Sequence, residues 1–153
     1  MDALLQSLAG HPFLRGLDAE HLRRLASFAQ ERDVAQGALI FREGEEAAAL
    51  YLLISGRVAL EQHVPGQGTV LVESLREGDI LGLSWFFAPY RWHLDARVVE
   101  PMRACVLDAP ALRRAMDEEA ALGYALSKRL LQALYVRLER VRLQRLDVYR
   151  SAT

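Results

Sequence analysis

Leu50-Tyr51-Leu52-Leu53-Ile54-Ser55-Gly56-Arg57-Val58-Ala59-Leu60-Glu61-Gln62-His63 runs into Val64-Pro65-Gly66-Gln67-Gly68. Leu50 to Ile54 is an apolar run of strand length, ended by Ser55-Gly56. Val58, Leu60 and Gln62 then alternate with Ala59, Glu61 and His63, the period of a half-exposed strand. Pro65 to Gly68 has turn chemistry. Working outward, Ala38 to Phe41 forms a short strand before this stretch. After it, Val70-Leu71-Val72 leads to Leu75, and Glu77-Gly78-Asp79 turns again. Leu94 to Val99 and Arg103 to Leu107 are two more strands. Short strands at roughly 8–12-residue spacing predict an antiparallel β-sandwich or barrel. Strands do not alternate with helices, which argues against a parallel α/β sheet.

Both ends of the chain read as helix. Residues 1–32 carry Leu4, Leu5 and Leu8 on one short face, broken by Gly10 and Pro12. Asp18 is placed to cap a second helix, in which Leu22, Leu25, Phe28 and Ala29 repeat at helical spacing. Beyond Leu107, Asp108 and Pro110 open a short helix. Asp117-Glu118-Glu119 then opens a long one, reaching Tyr149 with no Pro and only Gly123 inside it. At 1.5 Å per residue that helix is about 48 Å long, more than one small barrel needs. Leu122, Leu126 and Leu130 make one apolar stripe. Leu131, Leu134, Leu138 and Val141 make a neighbouring one at the 3-4-3 spacing of a coiled-coil seam. The expected division of labour puts the first stripe on the chain's own barrel and the second on a partner helix, making a homodimer. The whole, 1–153, reads as one domain: N-terminal helices over 1–32, the β-barrel over 33–108, and the short and long helices over 109–150.

Composition narrows the function. Of 153 residues, 52% are hydrophobic and 25% charged, enough apolar material for a core and close to the globular average. No run approaches the ~18 apolar residues of a membrane span, and the start Met-Asp-Ala-Leu-Leu-Gln is not a secretory signal. The expected compartment is the cytoplasm. One cysteine, Cys105, excludes an internal disulfide and a multi-cysteine metal site on one chain. His11, His21, His63 and His93 are scattered, so no metal site is expected, and a haem on Cys105 or His93 has no supporting pattern. There is no nucleophile elbow, Walker loop or dinucleotide fingerprint, and no enzyme activity is expected. Net charge is −1, but residues 121–153 hold seven basic and two acidic side chains. That basicity is read as the solvated face of the long helix.

The order of elements and the turn residues resemble the cyclic nucleotide-binding domain of the catabolite activator (Crp/Fnr) regulators. Phe41-Arg42-Glu43-Gly44 resembles the family's strand and Glu-Gly turn. Tyr51 to Val58 resembles its tyrosine strand, glycine turn and valine strand. Gly68, then Leu75-Arg76-Glu77-Gly78-Asp79-Ile80-Leu81-Gly82, resembles the approach to its phosphate-binding cassette. The glycines fit tight turns, where positive φ is needed. The resemblance implies a mainly β fold with flanking helices: an antiparallel jelly-roll barrel (double-stranded β-helix) plus a long C-terminal dimerisation helix. It also implies a sensor in which an effector near Gly82–Asp95 biases that helix between two states.

The cassette departs from the family pattern. The candidate ligand residues are Gly82, Leu83, Ser84, Trp85, Arg91, Trp92 and His93, with Val136 and Arg137 from the long helix. The resemblance places an acidic ribose acceptor at 83, where this chain has Leu. It places Arg and Ser/Thr at 92 and 93, where this chain has Trp and His, with Arg91 one residue away. It implies base contacts at 136 and 137, counted back from Leu146-Asp147-Val148. A buried hydroxyl without an acceptor costs about 1–3 kcal/mol, and a lost arginine–phosphate pair at least as much. Affinity for a cyclic nucleotide is therefore expected to be weaker by about two orders of magnitude or more. Two readings stand: a regulatory module whose ligand is cAMP, cGMP or another anionic small molecule, or a ligand-free dimerisation or protein-interaction scaffold whose pocket is filled by its own aromatics. The helix-turn-helix domain that follows Leu-Asp-Val in such regulators has no counterpart before Thr153, so sequence-specific DNA binding is not expected.

Overall fold

A computed structural model describes the backbone of residues 2–152 and the side chains of residues 3–146. The chain divides into two compact units, residues 1–115 and 116–153.

The first unit begins with α1 (Asp2–Gly10) and α2 (Ala19–Ala26). Asp18 stands at the N-cap of α2 but makes no side-chain capping bond there. The helical spacing read through Phe28 and Ala29 stops short: Ala29–Val34 is strand β1, hydrogen-bonded along Met102–Leu107. Pairing across the sheet overrides a weak local period here.

Next come β2 (Leu39–Phe41), β3 (Ala49–Val64), β4 (Gly68–Arg76) and β5 (Asp95–Asp108). They form one antiparallel, open sheet in the order β1-β5-β3-β4, with β2 also pairing β5. The strands read as separate pieces, 50–54 with 58–63 and 94–99 with 103–107, are continuous: β3 has 16 residues and β5 has 14. Their pairing shifts register between Leu53 and Val58, so each strand bends instead of ending. Gly56 makes the bend possible. Its φ is +93°, and a Cβ there would lie 2.3 Å from the Pro101 carbonyl oxygen of β5. The core of this unit includes Leu8, Leu14, Leu25, Leu52, Leu53, Leu75, Leu81, Met102 and Leu107.

α3 (Ala109–Glu118) follows, its first turn capped by Asp108, whose carboxylate accepts from the Ala111 N–H at 3.0 Å. Asp117 and Glu118 end α3 instead of opening the next helix; α4 starts at Ala120 and runs 33 residues to Ala152. Gly123 lies near the junction, where a Cβ would come within 2.5 Å of the Met116 carbonyl oxygen. Along α4, Leu122, Leu126 and Leu130 are buried, whereas Leu131, Leu134, Leu138 and Val141 are exposed. Asp147 and Val148, used above to set a register on this helix, have side chains outside the described residues.

Candidate functional site

The platform of the site is the β3 segment Tyr51–Leu53 with the turn that crosses it. Gly78 N–H donates to Leu53 O, Leu53 N–H to Asp79 O, and Leu81 N–H to Tyr51 O. The Asp79 carboxylate accepts from the Arg76 N–H at 3.0 Å, closing the turn. The chain then reaches Gly82 with φ +68°, and a Cβ there would sit 3.1 Å from Trp92 Cζ3. The positive φ favours glycine at 82, and a Cβ there would also press on the Trp92 ring.

Leu83 leads into a 3-10 turn, Ser84–Phe86, and Phe87 returns to extended backbone. Tyr90 has φ +57°. Residues 90–92 then pair with 44–47: Ala47 N–H donates to Tyr90 O, Trp92 N–H to Glu45 O, and Gly44 N–H to Trp92 O. Two carboxylates brace the facing turn, Glu45 on the Arg42 N–H and Asp95 on the Glu43 N–H.

The alternation imposed by this pairing separates three neighbouring side chains. Arg91 and His93 are exposed, and Trp92 is 4% exposed. The Trp92 indole stacks on Phe41, with ring centres 3.8 Å apart and planes within 6°, and Tyr51 closes the group at 6.5 Å. Burial pushes the Tyr51 phenol above its ordinary pKa. Among the described contacts, the Arg91 guanidinium reaches only the Gly44 carbonyl, at 3.4 Å. Leu83 and Ser84 are half-buried, and Trp85 is fully buried beside Phe86. Val136 and Arg137 lie on α4, in the second unit, with Val136 exposed.

Arg113 is the residue that sequence reading missed. It is half-buried on α3; its guanidinium lies 3.8 Å above the centre of the Tyr90 ring and donates to the Trp85 carbonyl. No local signal marks it, since an arginine on an amphipathic helix reads as solvent face. Trp85 Nε1 is buried and has no hydrogen-bond partner among the described residues. An unsatisfied buried donor costs about 1–3 kcal/mol.

A separate cleft of about 370 Å³ lies between α1 and the 77–78 turn, lined in part by Ser7, His11, Pro12 and Leu53. Both nitrogens of the buried His11 are engaged there: Nε2–H donates to Leu53 O and Nδ1 accepts from the Phe13 N–H. Burial lowers the His11 pKa, outweighing the opposing pull of the Leu53 carbonyl. Cys105 is buried in β5, where burial pushes its thiol up to about 11 and keeps it protonated at neutral pH. Among the described residues no cluster of His, Cys, Asp or Glu is arranged to hold a metal ion, and no helix is long and apolar enough to cross a membrane.

A sheet of this order, with a turn-and-cassette segment laid across its central strand, can be compared with known families. The cyclic nucleotide-binding domain profile matches residues 31–119, more than half of the chain. The chain belongs to the cyclic nucleotide-binding domain family. It is 28% identical over 133 residues to a CRP-like cAMP-activated global transcriptional regulator of Mycobacterium tuberculosis, covering 87% of this chain and 58% of that regulator. It thus spans less than two thirds of that relative's length. A putative cyclic nucleotide-binding protein from Geobacter metallireducens superposes with a TM-score of 0.79 at 29% identity, covering 87% of this chain and 96% of the other. A cyclic nucleotide-binding domain from Methylobacillus flagellatus shares the fold, with a TM-score of 0.82 at 22% identity, covering 95% and 84%. The chain is therefore a cyclic nucleotide-binding domain, with an antiparallel jelly-roll sheet, flanking helices and a long C-terminal helix.

Proposed function

We propose that this chain is a non-enzymatic regulatory module whose cassette has lost ordinary cyclic nucleotide binding and takes a different anionic small molecule. The carrying observation is Trp92. Its buried indole lies flat on Phe41 and against Gly82, at the position where the family resemblance places the phosphate arginine. Leu83, likewise, offers no carboxylate to a ribose hydroxyl. The residues proposed to meet the ligand are Gly82, Leu83, Ser84, Trp85, Arg91, Trp92 and His93. The Mycobacterium tuberculosis relative is named as cAMP-activated; here the same fold is read as retaining the sensor role with a changed ligand.

The module is further proposed to work as a homodimer through α4. Leu131, Leu134, Leu138 and Val141 keep coiled-coil spacing, and each is at least 40% exposed in the single chain. An apolar seam of that kind is stable when a second helix covers it.

Thermal shift and calorimetry with cAMP, cGMP and other phosphorylated small molecules test the ligand reading. Weak or absent cyclic nucleotide binding with a saturable shift from another anion supports it. Micromolar binding of cAMP refutes it. The packing of Phe41, Tyr51 and Trp92 also favours a second reading, a ligand-free scaffold with a self-filled pocket. Silence toward every anion in the panel, with the dimer intact, selects that reading instead.

A further inference from the structure

The cassette of the first unit holds one buried donor without an acceptor and one half-buried cation without a counter-charge among the described residues. Trp85 Nε1 is buried without a partner among the described residues. Arg113 is half-buried over Tyr90, donates to the Trp85 carbonyl, and has no carboxylate partner among the described residues. A guanidinium carries five N–H donors and no acceptor, and an indole nitrogen only donates. Position 83, two residues before Trp85, carries an apolar leucine. An indole N–H without an acceptor and a guanidinium without a counter-charge suit a negatively charged oxygen.

We propose that Trp85 and Arg113 form the anion-reading pair of the cassette: a phosphate or carboxylate oxygen of the ligand accepts from Trp85 Nε1, and Arg113 supplies the positive charge. This deepens the changed-ligand reading and rests on it. The cation comes from α3 instead of the 91–93 segment. Arg91 is exposed and Trp92 is uncharged and buried, whereas Arg113 is held in place by the Tyr90 ring and the Trp85 carbonyl. A charge already positioned loses little freedom on binding. Phe86 packs between Trp85 and Phe87, and Phe87 is 61% exposed, so the adjoining surface suits a ligand with an aromatic body.

The chain has two tryptophans, so its ¹⁵N–¹H spectrum carries two indole resonances, assigned with Trp85→Phe. The full chain is titrated with phenyl phosphate, benzoate and inorganic phosphate, with benzyl alcohol as the uncharged control. The Trp85 indole resonance should move downfield saturably with at least one aromatic anion, and benzyl alcohol should leave it in place. Arg113→Gln should weaken that binding by about tenfold or more, the loss of one charge-assisted contact. Arg113→Lys should retain part of it, and Arg91→Gln, which removes an exposed charge of the 91–93 segment, should weaken it less than Arg113→Gln does. A native Trp92 resonance shows that each variant is folded; if Arg113→Gln unfolds, the ordering of wild type, Arg113→Lys and Arg91→Gln decides. Whichever of phenyl phosphate and benzoate binds tighter identifies the anionic group. A Trp85 resonance unmoved by all three anions at millimolar concentration overturns the proposal, as does binding lost in Arg91→Gln but kept in the Arg113 variants. Cyclic nucleotide affinity is read separately by calorimetry, so failure of this pair and failure of the changed-ligand reading give different results.

Discussion

Trp92→Ala tests whether the cassette aromatics are part of the folded core. The indole is 4% exposed, stacks on Phe41 at 3.8 Å and lies against Gly82. The hydrogen bonds that tie residue 92 to Gly44 and Glu45 use main-chain atoms and survive the change. What is lost is the burial of the ring and its contacts. Truncating a buried Phe or Trp to Ala costs about 3–5 kcal/mol, and the neighbours here, Phe41 and Tyr51, are rigid rings that refill the space poorly. For a domain of this size each kcal/mol lowers Tm by about 2–4 °C, so a fall of roughly 6–20 °C is expected. Urea unfolding followed by far-ultraviolet circular dichroism gives the free energy, and the fluorescence of Trp85 gives a second probe. Phe87→Ala is the control: that ring is 61% exposed, and its loss should change stability by less than about 0.5 kcal/mol. If Trp92→Ala costs less than about 1 kcal/mol at an unchanged denaturant slope, the ring is not a structural part of the cassette. A ring that is not structural there does not exclude an ordinary cyclic nucleotide.

Leu83→Glu combined with Trp92→Arg should raise cAMP affinity over the parent by about tenfold or more, since it restores an acceptor and a cation; equal calorimetric affinities would show that the cassette register is wrong. Leu134→Ala with Leu138→Ala should dissociate the proposed dimer at micromolar concentration while the sheet stays folded, because two-fold symmetry doubles each loss at the seam; light scattering that finds a monomeric parent counts against the interface. Gly56→Ala should destabilise by at least about 2 kcal/mol, from the strained positive φ and the clash with the Pro101 carbonyl; an unchanged melting temperature would mean that β3 and β5 cross less tightly. His11 is held neutral in the folded state, its pKa lowered chiefly by burial. The unfolded chain therefore binds this proton first as pH falls below about 6.5, and stability should decline from there toward the lower folded-state pKa. The His11→Gln variant should lose that part of the pH dependence, and identical slopes for variant and parent would exclude His11 as its source.

The sequence determined the features that depend on neighbours within a few residues. Helical and strand periods place α1, α2, the strand-rich middle and α4 in order, because periodicity is a local consequence of which face is buried. Gly56, Gly78 and Gly82 were legible as turn glycines, and all three have positive φ. The spacing on α4 separated Leu122, Leu126 and Leu130 from the 131–141 stripe, and their burial differs accordingly. Tertiary structure decided what depends on partners distant in sequence. Ala29–Val34 became a strand because Met102–Leu107 offers it a hydrogen-bonding edge, more than sixty residues away. Fragments that local turn signals separate were joined into β3 and β5, because a register shift opposite Gly56 lets paired strands bend without ending. In the cassette, the pairing of 90–92 with 44–47 selected Trp92 for the interior and left Arg91 and His93 outside, a one-residue alternation that composition does not encode. Arg113 joins the cassette across 28 residues of chain to Trp85. A charged side chain meets an aromatic face and a carbonyl there only because the fold brings α3 to the 3-10 turn, and nothing in its local sequence distinguishes it from a solvated arginine.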